Sequence, residues 1–504
     1  MSSGFFYIEA YLLIFLFIVF YFSLKDVRGK FFIAVAPIIL FYSLYDIYFI
    51  VFNEPFTFIQ FNKVSELLQV IDIKIAILLL ISGITIFIYL FYLEYSLKSL
   101  LLFALITFFC LCSMEFSSFT VSFIKKYGKE INSYSSTKNI IKNGRITMSL
   151  YWEAERRVIK KTLNEYKNQK KFTKKLPNNF DKFIDSNNVH LIILESYIDP
   201  TLFRNLDINK NILKSNKYKK MFADKENLSI SPVFGGNTSQ AEFEALCGVH
   251  AFNKLSSAEF NVFSGRKTEC LPNILTRFGY VTNATNAFGD TMFNTELAYR
   301  SIGFENRYYP NRKNSYFKKL GKEQYMFDGY LFEQNLQFVK KQLKNKKPFL
   351  NYVLSIYGHT PFDIDYSKYP DIIKNNFTDN VQMKNLLNQY YYRTKALAAY
   401  LNELIILDPH SIIIVVADHL PPINNNEEYN KFRYKYSLYT NRLLIIKNGQ
   451  VIKLKSIIHH YDIPTLILNY LSNNKYCQCI ECFNDNNMLE NYYTILSLGR
   501  KNED

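Results

Sequence analysis

The chain has no internal repeat and no long low-complexity tract. That excludes a solenoid or a disordered array and leaves packed domains. No basic stretch precedes its first apolar run, and further runs follow it, so a membrane span rather than a cleaved secretory signal is expected there. Acidic residues are the minority, 44 against 60 lysines and arginines, for a net charge of +16. Cysteine is scarce, at seven residues, and tryptophan occurs once, as Trp152.

What is present divides the chain. Its first quarter holds four apolar runs, at 4–24, 31–52, 75–92 and 99–114. The third is uncharged throughout and long enough to span a bilayer as a helix. Glu9 lies near the end of the first run, within reach of headgroups, and Asp46 faces other helices or the interface. The reading is a bundle of about four transmembrane helices over residues 1–120. The loop 24–30 carries Lys25, Arg28 and Lys30 and belongs in the cytoplasm, whereas the loop 53–72 has one lysine and belongs outside. Everything after the fourth run then lies outside as well. The expected location is a bacterial cytoplasmic (inner) membrane, with several spans and an extracytoplasmic or periplasmic catalytic domain.

Residues 121–187 read as a basic juxtamembrane linker. Between Arg156 and Lys175 there are nine basic residues and one acid, Glu165. This is either a solvated helix or a collar drawn to anionic lipid, and Trp152 is placed at the membrane interface. A domain held outside a membrane does not meet nucleic acid. Cys110 and Cys112 pack within the fourth run. Cys247 and Cys270 are a candidate disulfide, while Cys477, Cys479 and Cys482 are open to a local disulfide, free thiols or zinc.

From residue 188 short apolar runs at 189–194, 349–356, 411–416 and 443–447 alternate with helix-like segments at 241–252, 327–343 and 380–407. Continuous apolar strands separated by helices predict a mainly parallel sheet covered by helices, with ligands at the carboxyl ends of the strands. Three motifs fall at such ends. Ile192-Ile-Leu-Glu195 supplies a carboxylate, and Ala417-Asp418-His419 supplies a carboxylate beside an imidazole. Gly235-Gly-Asn-Thr238 places a hydroxyl on a turn before a helix, which Ser239 and Glu242 at capping-box spacing are expected to start. A helix N-terminus cradles phosphate, and a threonine hydroxyl becomes a nucleophile beside a base or metal. Glu195, Thr238, Asp418 and His419 suit a divalent manganese, magnesium or zinc ion. Taken singly, each motif reads more readily as a helix cap or a strand end than as a site, and the three together in one chain reverse that.

These motifs resemble the lipoteichoic acid synthase and phosphoglycerol transferase branch of the sulfatase and alkaline phosphatase superfamily. The likeness runs over about 188–471 in five ordered pieces. They are Asn188-Val-His-Leu-Ile-Ile-Leu-Glu195-Ser, Gly236-Asn-Thr238-Ser-Gln-Ala-Glu-Phe-Glu, Ser355-Ile-Tyr-Gly-His359-Thr-Pro-Phe, Val416-Ala-Asp418-His419-Leu-Pro-Pro and His460-Tyr-Asp462-Ile-Pro-Thr465. The resemblance implies a sulfatase-like catalytic domain of alkaline phosphatase type over 188–504, with Mn2+ the first choice of metal (Mg2+ or Zn2+ the alternatives). It implies that Thr238 attacks a phospholipid headgroup, forms a phosphothreonine diester and passes the group to an envelope glycan or polymer. His359 binds the phosphate or handles a proton, and the last of the five pieces is structural, as are His250 and His459.

The chain also departs from that branch. Where lipoteichoic acid synthases set a histidine, an aromatic and an arginine on the glycerol phosphate, the corresponding positions are Asn286, Phe293 and Thr295. Loss of an arginine fork alters phosphate recognition. The donor is then phosphatidylglycerol or, second, phosphatidylethanolamine, the latter making the protein a phosphoethanolamine transferase. A sulfatase or phosphodiesterase-type hydrolase ranks lower, because no Cys/Ser-x-Pro-x-Arg setting surrounds Thr238. A transporter or scaffold with a degenerate site ranks lowest, because every expected metal ligand is present.

Overall fold

The computed structural model describes residues 7–52, 73–129, 131, 136–169, 184–206, 227–252, 258–289, 294–310, 325–372, 378–423, 427–476 and 487–499. The chain forms two compact units, residues 1–162 with 253–257, and residues 163–252 with 258–504.

The first unit is helical: α1 (Ile8–Phe22), α2 (Lys30–Phe52), α3 (Ile73–Phe91), α4 (Leu97–Glu115), α5 (Ser117–Tyr127), α6 (Ser136–Asn143) and the start of α7 (Arg145–Gln169). Among the described residues no single helix is long and apolar enough to cross a membrane. Leu97–Ser113 and Ser117–Tyr127, bent by 90°, meet the requirement only as a pair. Two sequence expectations change here. Glu9 does not reach outward: it is 1 % exposed and caps the start of α7. Its carboxylate accepts from the Ile146 N–H (3.0 Å), the Thr147 N–H (2.8 Å), the Thr147 hydroxyl (2.6 Å) and the Tyr42 hydroxyl. The first turn of a helix leaves its amides without partners, and a carboxylate is the best group to fill them. Trp152 is likewise turned inward, buried with Tyr45, Ile124, Met148 and Tyr151. Asp46 meets another helix as expected, taking both arms of Arg145 at 2.7 Å. The 53–72 loop, Lys170, Lys171, Lys174 and Lys175 lie outside the described residues.

The second unit is built on one sheet, whose strands are β1 (Val189–Leu194), β2 (Asn227–Ile230), β3 (Val281–Asn286), β4 (Asn306–Tyr308), β5 (Phe349–Leu354), β6 (Ile412–Ala417), β7 (Thr440–Lys447), β8 (Gln450–Val451) and β9 (Ile458–His459). The order is β4-β3-β5-β1-β6-β7-β2-β9, with β8 on β7. The five strands from β4 to β6 are parallel, and β7 runs against both its neighbours on this path. β1, β5 and β6 are buried along their whole length, as strands covered on both faces must be. One apolar layer sets Ile192, Val353, Ile413 and Val415 against Leu331, Phe332, Leu397 and Leu401 of two long helices, Asp328–Leu343 and Val381–Leu407. Each such side chain contributes about 1.5–3 kcal/mol by leaving water.

Sheet register then fixes chemistry. Leu194 pairs with Ala417, so Glu195 and Asp418 leave adjacent strands at one level. Cys247 and Cys270, a candidate pair in the sequence, form a disulfide that clamps the end of the helix Thr238–Cys247. Cys477, Cys479 and Cys482 lie outside the described residues.

Candidate active site

The turn before Thr238 is held by close backbone approach. Gly235 has φ +72°, and a Cβ there would meet Pro422 at 2.8 Å, while its N–H donates to the Leu420 carbonyl at 3.1 Å. Only glycine fits against the Asp418–Pro422 segment in this way. Asn237, at φ +60°, ends the turn, and the helix begins at Thr238 itself. The capping box expected of Ser239 and Glu242 does not form. Glu242 turns inward, where the Tyr299 and Tyr352 hydroxyls donate to one of its oxygens at 2.5 and 2.6 Å. Burial pushes its carboxyl up to about 7.

The predicted ligands converge. The Thr238 hydroxyl lies 2.8 Å from Asp418 Oδ2 and 3.1 Å from Glu195 Oε2. His419 Nε2 lies 3.3 Å from Asp418 Oδ2 and 3.9 Å from Glu195 Oε1. All four residues are buried. His419 Nδ1 is 3.1 Å from the Leu420 carbonyl, a bond that leaves the Nε2 lone pair aimed inward, and Nε2 has no hydrogen-bond partner. A ligating histidine is oriented in this way by its other nitrogen. Ser196, at φ +45°, knits the group together: its N–H donates to Asp418 Oδ1 at 2.7 Å and its hydroxyl to Glu195 Oε1 at 2.6 Å.

Electrostatics argue for a cation. Burial, then the Asp418 charge, holds the Glu195 carboxyl well above the usual range. Two buried carboxylates with one hydroxyl between them lack countercharge, and an orphaned imidazole nitrogen faces the same space. Ligand atoms of Glu195, Asp418 and His419 lie within 4.8 Å of one another. Thr238 adds a fourth oxygen, and this donor set fits a divalent ion.

His359 stands after β5 with its ring between Phe288 (5.6 Å) and Tyr325 (5.2 Å). Its pKa is lowered, chiefly by burial, and it feels the charges of His419 and Asp418. Asn286, at the end of β3, has its side chain engaged at both ends: it donates to the Tyr299 hydroxyl at 2.9 Å and accepts from the Phe288 N–H at 2.7 Å. Thr295 begins the helix Thr295–Ile302 and is buried. Phe293 lies outside the described residues.

Supporting residues were less legible. Arg393, fully buried, pairs with Asp328 at 2.6 Å and reaches the Ser355 hydroxyl, which in turn accepts the Glu195 N–H at 3.0 Å. Nothing local in the long helix Val381–Leu407 announces such an arginine.

A profile of the sulfatase family matches residues 187–472, more than half of the 504. The chain belongs to the sulfatase family. Lipoteichoic acid synthase of Staphylococcus aureus (strain USA300) is 25% identical over 211 residues, 40% of this chain and 31% of that protein. The match thus spans less than a third of that relative's length. Among solved structures, the lipoteichoic acid synthase LtaP from Listeria monocytogenes is 17% identical at TM-score 0.48, over 66% of this chain and 81% of that one. The Streptococcus pyogenes phosphoglycerol transferase GacH, in complex with sn-glycerol-1-phosphate, is 18% identical at TM-score 0.45, over 68% and 91%. Within this sulfatase-family domain, the carboxyl ends of β1, β5 and β6 carry Glu195, His359 and the Asp418–His419 pair.

Proposed function

We propose that the protein is a membrane-anchored, divalent-metal-dependent transferase that moves a phosphoglycerol headgroup from a phospholipid to an envelope glycan or polymer. The observation that carries the reading is the Thr238 hydroxyl set between two buried carboxylates, beside a histidine nitrogen, at the positive end of a helix. Four apolar runs support the anchor, and the Cys247–Cys270 disulfide supports a domain outside the cytoplasm. Phosphatidylglycerol is the proposed donor and manganese the first-choice ion.

A divalent ion held by Glu195, Thr238, Asp418 and His419 supplies Lewis-acid stabilisation of phosphoryl charge. The rest falls to the chain. The Thr238 proton already leans on Asp418 Oδ2, so its oxygen is turned toward attack. A bond forms from Thr238 Oγ1 to phosphorus as the bond to the diacylglycerol oxygen breaks, and that oxygen takes up the proton that Thr238 gives up. His359, kept neutral by burial, is the proposed group that binds the phosphate and passes that proton. In the second half an acceptor hydroxyl attacks phosphorus, gives up its proton and restores the Thr238 hydroxyl.

The test is intact mass of the full chain in detergent with manganese and phosphatidylglycerol or phosphatidylethanolamine. A phosphoglycerol increment on wild type and none on Thr238→Ala is the expected result. A phosphoethanolamine increment would replace the donor. No increment with either lipid on folded, metal-loaded protein would sink the reading.

A further inference from the structure

The last of the five sequence motifs, structural by its resemblance, delivers an unsatisfied group. His460 is 1 % exposed, and neither ring nitrogen has a hydrogen-bond partner. The other fully buried histidines are tied: His190 to Asp408 and Asn351, and His419 to the Leu420 carbonyl. A buried polar group without a partner is costly, and native structures seldom keep one without a use.

Its place in the fold points to that use. β9 lies parallel to β2 with His459 opposite Ile230, so His460 leaves the sheet level with Ser231. The Ser231 hydroxyl donates to the Asp418 carbonyl at 2.5 Å. The turn His460–Asp462 packs on the helix Thr238–Cys247, and Asp462 holds it by accepting the His459 N–H at 2.8 Å. His460 feels the charges of Asp418 and His419, and burial pushes its pKa down to about 3. It is a neutral imidazole, with one N–H and one lone pair, beside the nucleophile helix.

We propose that His460 is a phosphate-binding residue whose ring N–H donates to a non-bridging oxygen of the phosphoryl group carried by Thr238. The inference rests on the phosphoryl-transfer reading above. Glu195, Thr238, Asp418 and His419 already provide four ligands for one ion, so the metal does not need this ring. A neutral, fixed donor is what a phosphoryl oxygen requires in a site closed to water.

The experiment compares wild type, His460→Gln and His460→Leu as full chains in detergent, measuring affinity for manganese and, with manganese bound, for glycerol phosphate. Manganese affinity is expected to hold in all three. Glycerol phosphate affinity is expected to fall roughly tenfold to a hundredfold in His460→Leu, the range of a hydrogen bond to a charged group, and to recover in His460→Gln, which keeps an N–H. In 15N-histidine wild type, the His460 ring signal is expected to shift when glycerol phosphate is added, which tests the contact without a folding risk. Unchanged glycerol phosphate affinity in folded His460→Leu, or an unmoved ring signal, would overturn the assignment. A tenfold or greater loss of manganese affinity in both variants would make His460 a metal ligand instead. If manganese-loaded wild type binds no glycerol phosphate, the phosphoryl-transfer reading fails first, and this inference with it.

Discussion

Both units of the chain bury carboxylates, and they treat them in opposite ways. In the helical unit Glu9 accepts four hydrogen bonds, two from backbone amides and two from hydroxyls. In the sheet unit Glu195 and Asp418 crowd together around one threonine hydroxyl, with burial and mutual repulsion raising Glu195. Glu9 is complete without a ligand. The pair is not. Burial alone therefore does not mark a functional acid; a second buried carboxylate crowded against it does.

The largest test of that contrast is Thr238→Ala. It removes the atom on which both carboxylates converge, and transfer activity is expected to fall by roughly 10⁴-fold or more, as for loss of a covalent nucleophile elsewhere. The covalent mass increment should vanish while manganese still raises the thermal midpoint. An adduct persisting on the alanine variant would place the nucleophile elsewhere.

Glu242 sharpens the comparison from inside the active-site helix. Its carboxyl titrates near 4.5 unfolded and is raised to about 7 folded. A raised carboxyl binds its proton more tightly in the folded state, so its contribution is intact below about pH 4.5 and is lost as pH climbs to 7. Glu242→Gln should abolish this slope. Relative to wild type it should gain up to about 3 kcal/mol between pH 4.5 and 7, at 1.36 kcal/mol per pH unit. Thermal unfolding of both proteins across that window measures it, and parallel curves would refute it.

Glu195→Gln should reverse sign with metal. Without an ion it relieves the repulsion from Asp418, and a gain of about 1–2 kcal/mol at pH 8 is expected. With manganese it loses a charged ligand, so the stabilisation that the ion gives to wild type should largely disappear. A variant less stable in both conditions would mean that Glu195 is a structural acid like Glu9.

How far the sequence carried these points depends on whether the signal was local. The strand ends bearing Glu195 and Asp418 follow apolar runs, and both were legible. β3 was not, because Val281–Asn286 is polar: it is buried through Thr282 on the Gly303 carbonyl and Thr285 on Asn335, bonds that no spacing reveals. Ser239 and Glu242 had capping-box spacing, yet Tyr299 and Tyr352, from distant elements, drew Glu242 away. The place of Glu9 is hidden for the same reason, its partners Ile146 and Thr147 lying far along the chain. His460 sat in a recognised motif, but its lack of partners is visible only in three dimensions.

The smallest test closes the comparison from the other side. Glu9→Gln keeps the shape of the side chain and exchanges one acceptor oxygen for an NH2. One oxygen takes the Tyr42 hydroxyl and the Ile146 N–H, and the other takes the Thr147 hydroxyl and N–H. A hydroxyl can rotate to accept, but a backbone N–H cannot. Whichever way the amide turns, one helix N–H of the α7 cap then faces another donor. The expected cost is about 1–3 kcal/mol, the penalty of a buried unsatisfied group, at every pH and with or without manganese. Thermal unfolding of the full chain in detergent measures it, and the phosphoglycerol increment on Thr238 should be unaffected in mass. Loss of that increment from a folded Glu9→Gln protein would show that the satisfied carboxylate also serves the chemistry, and the contrast between the two units would fall.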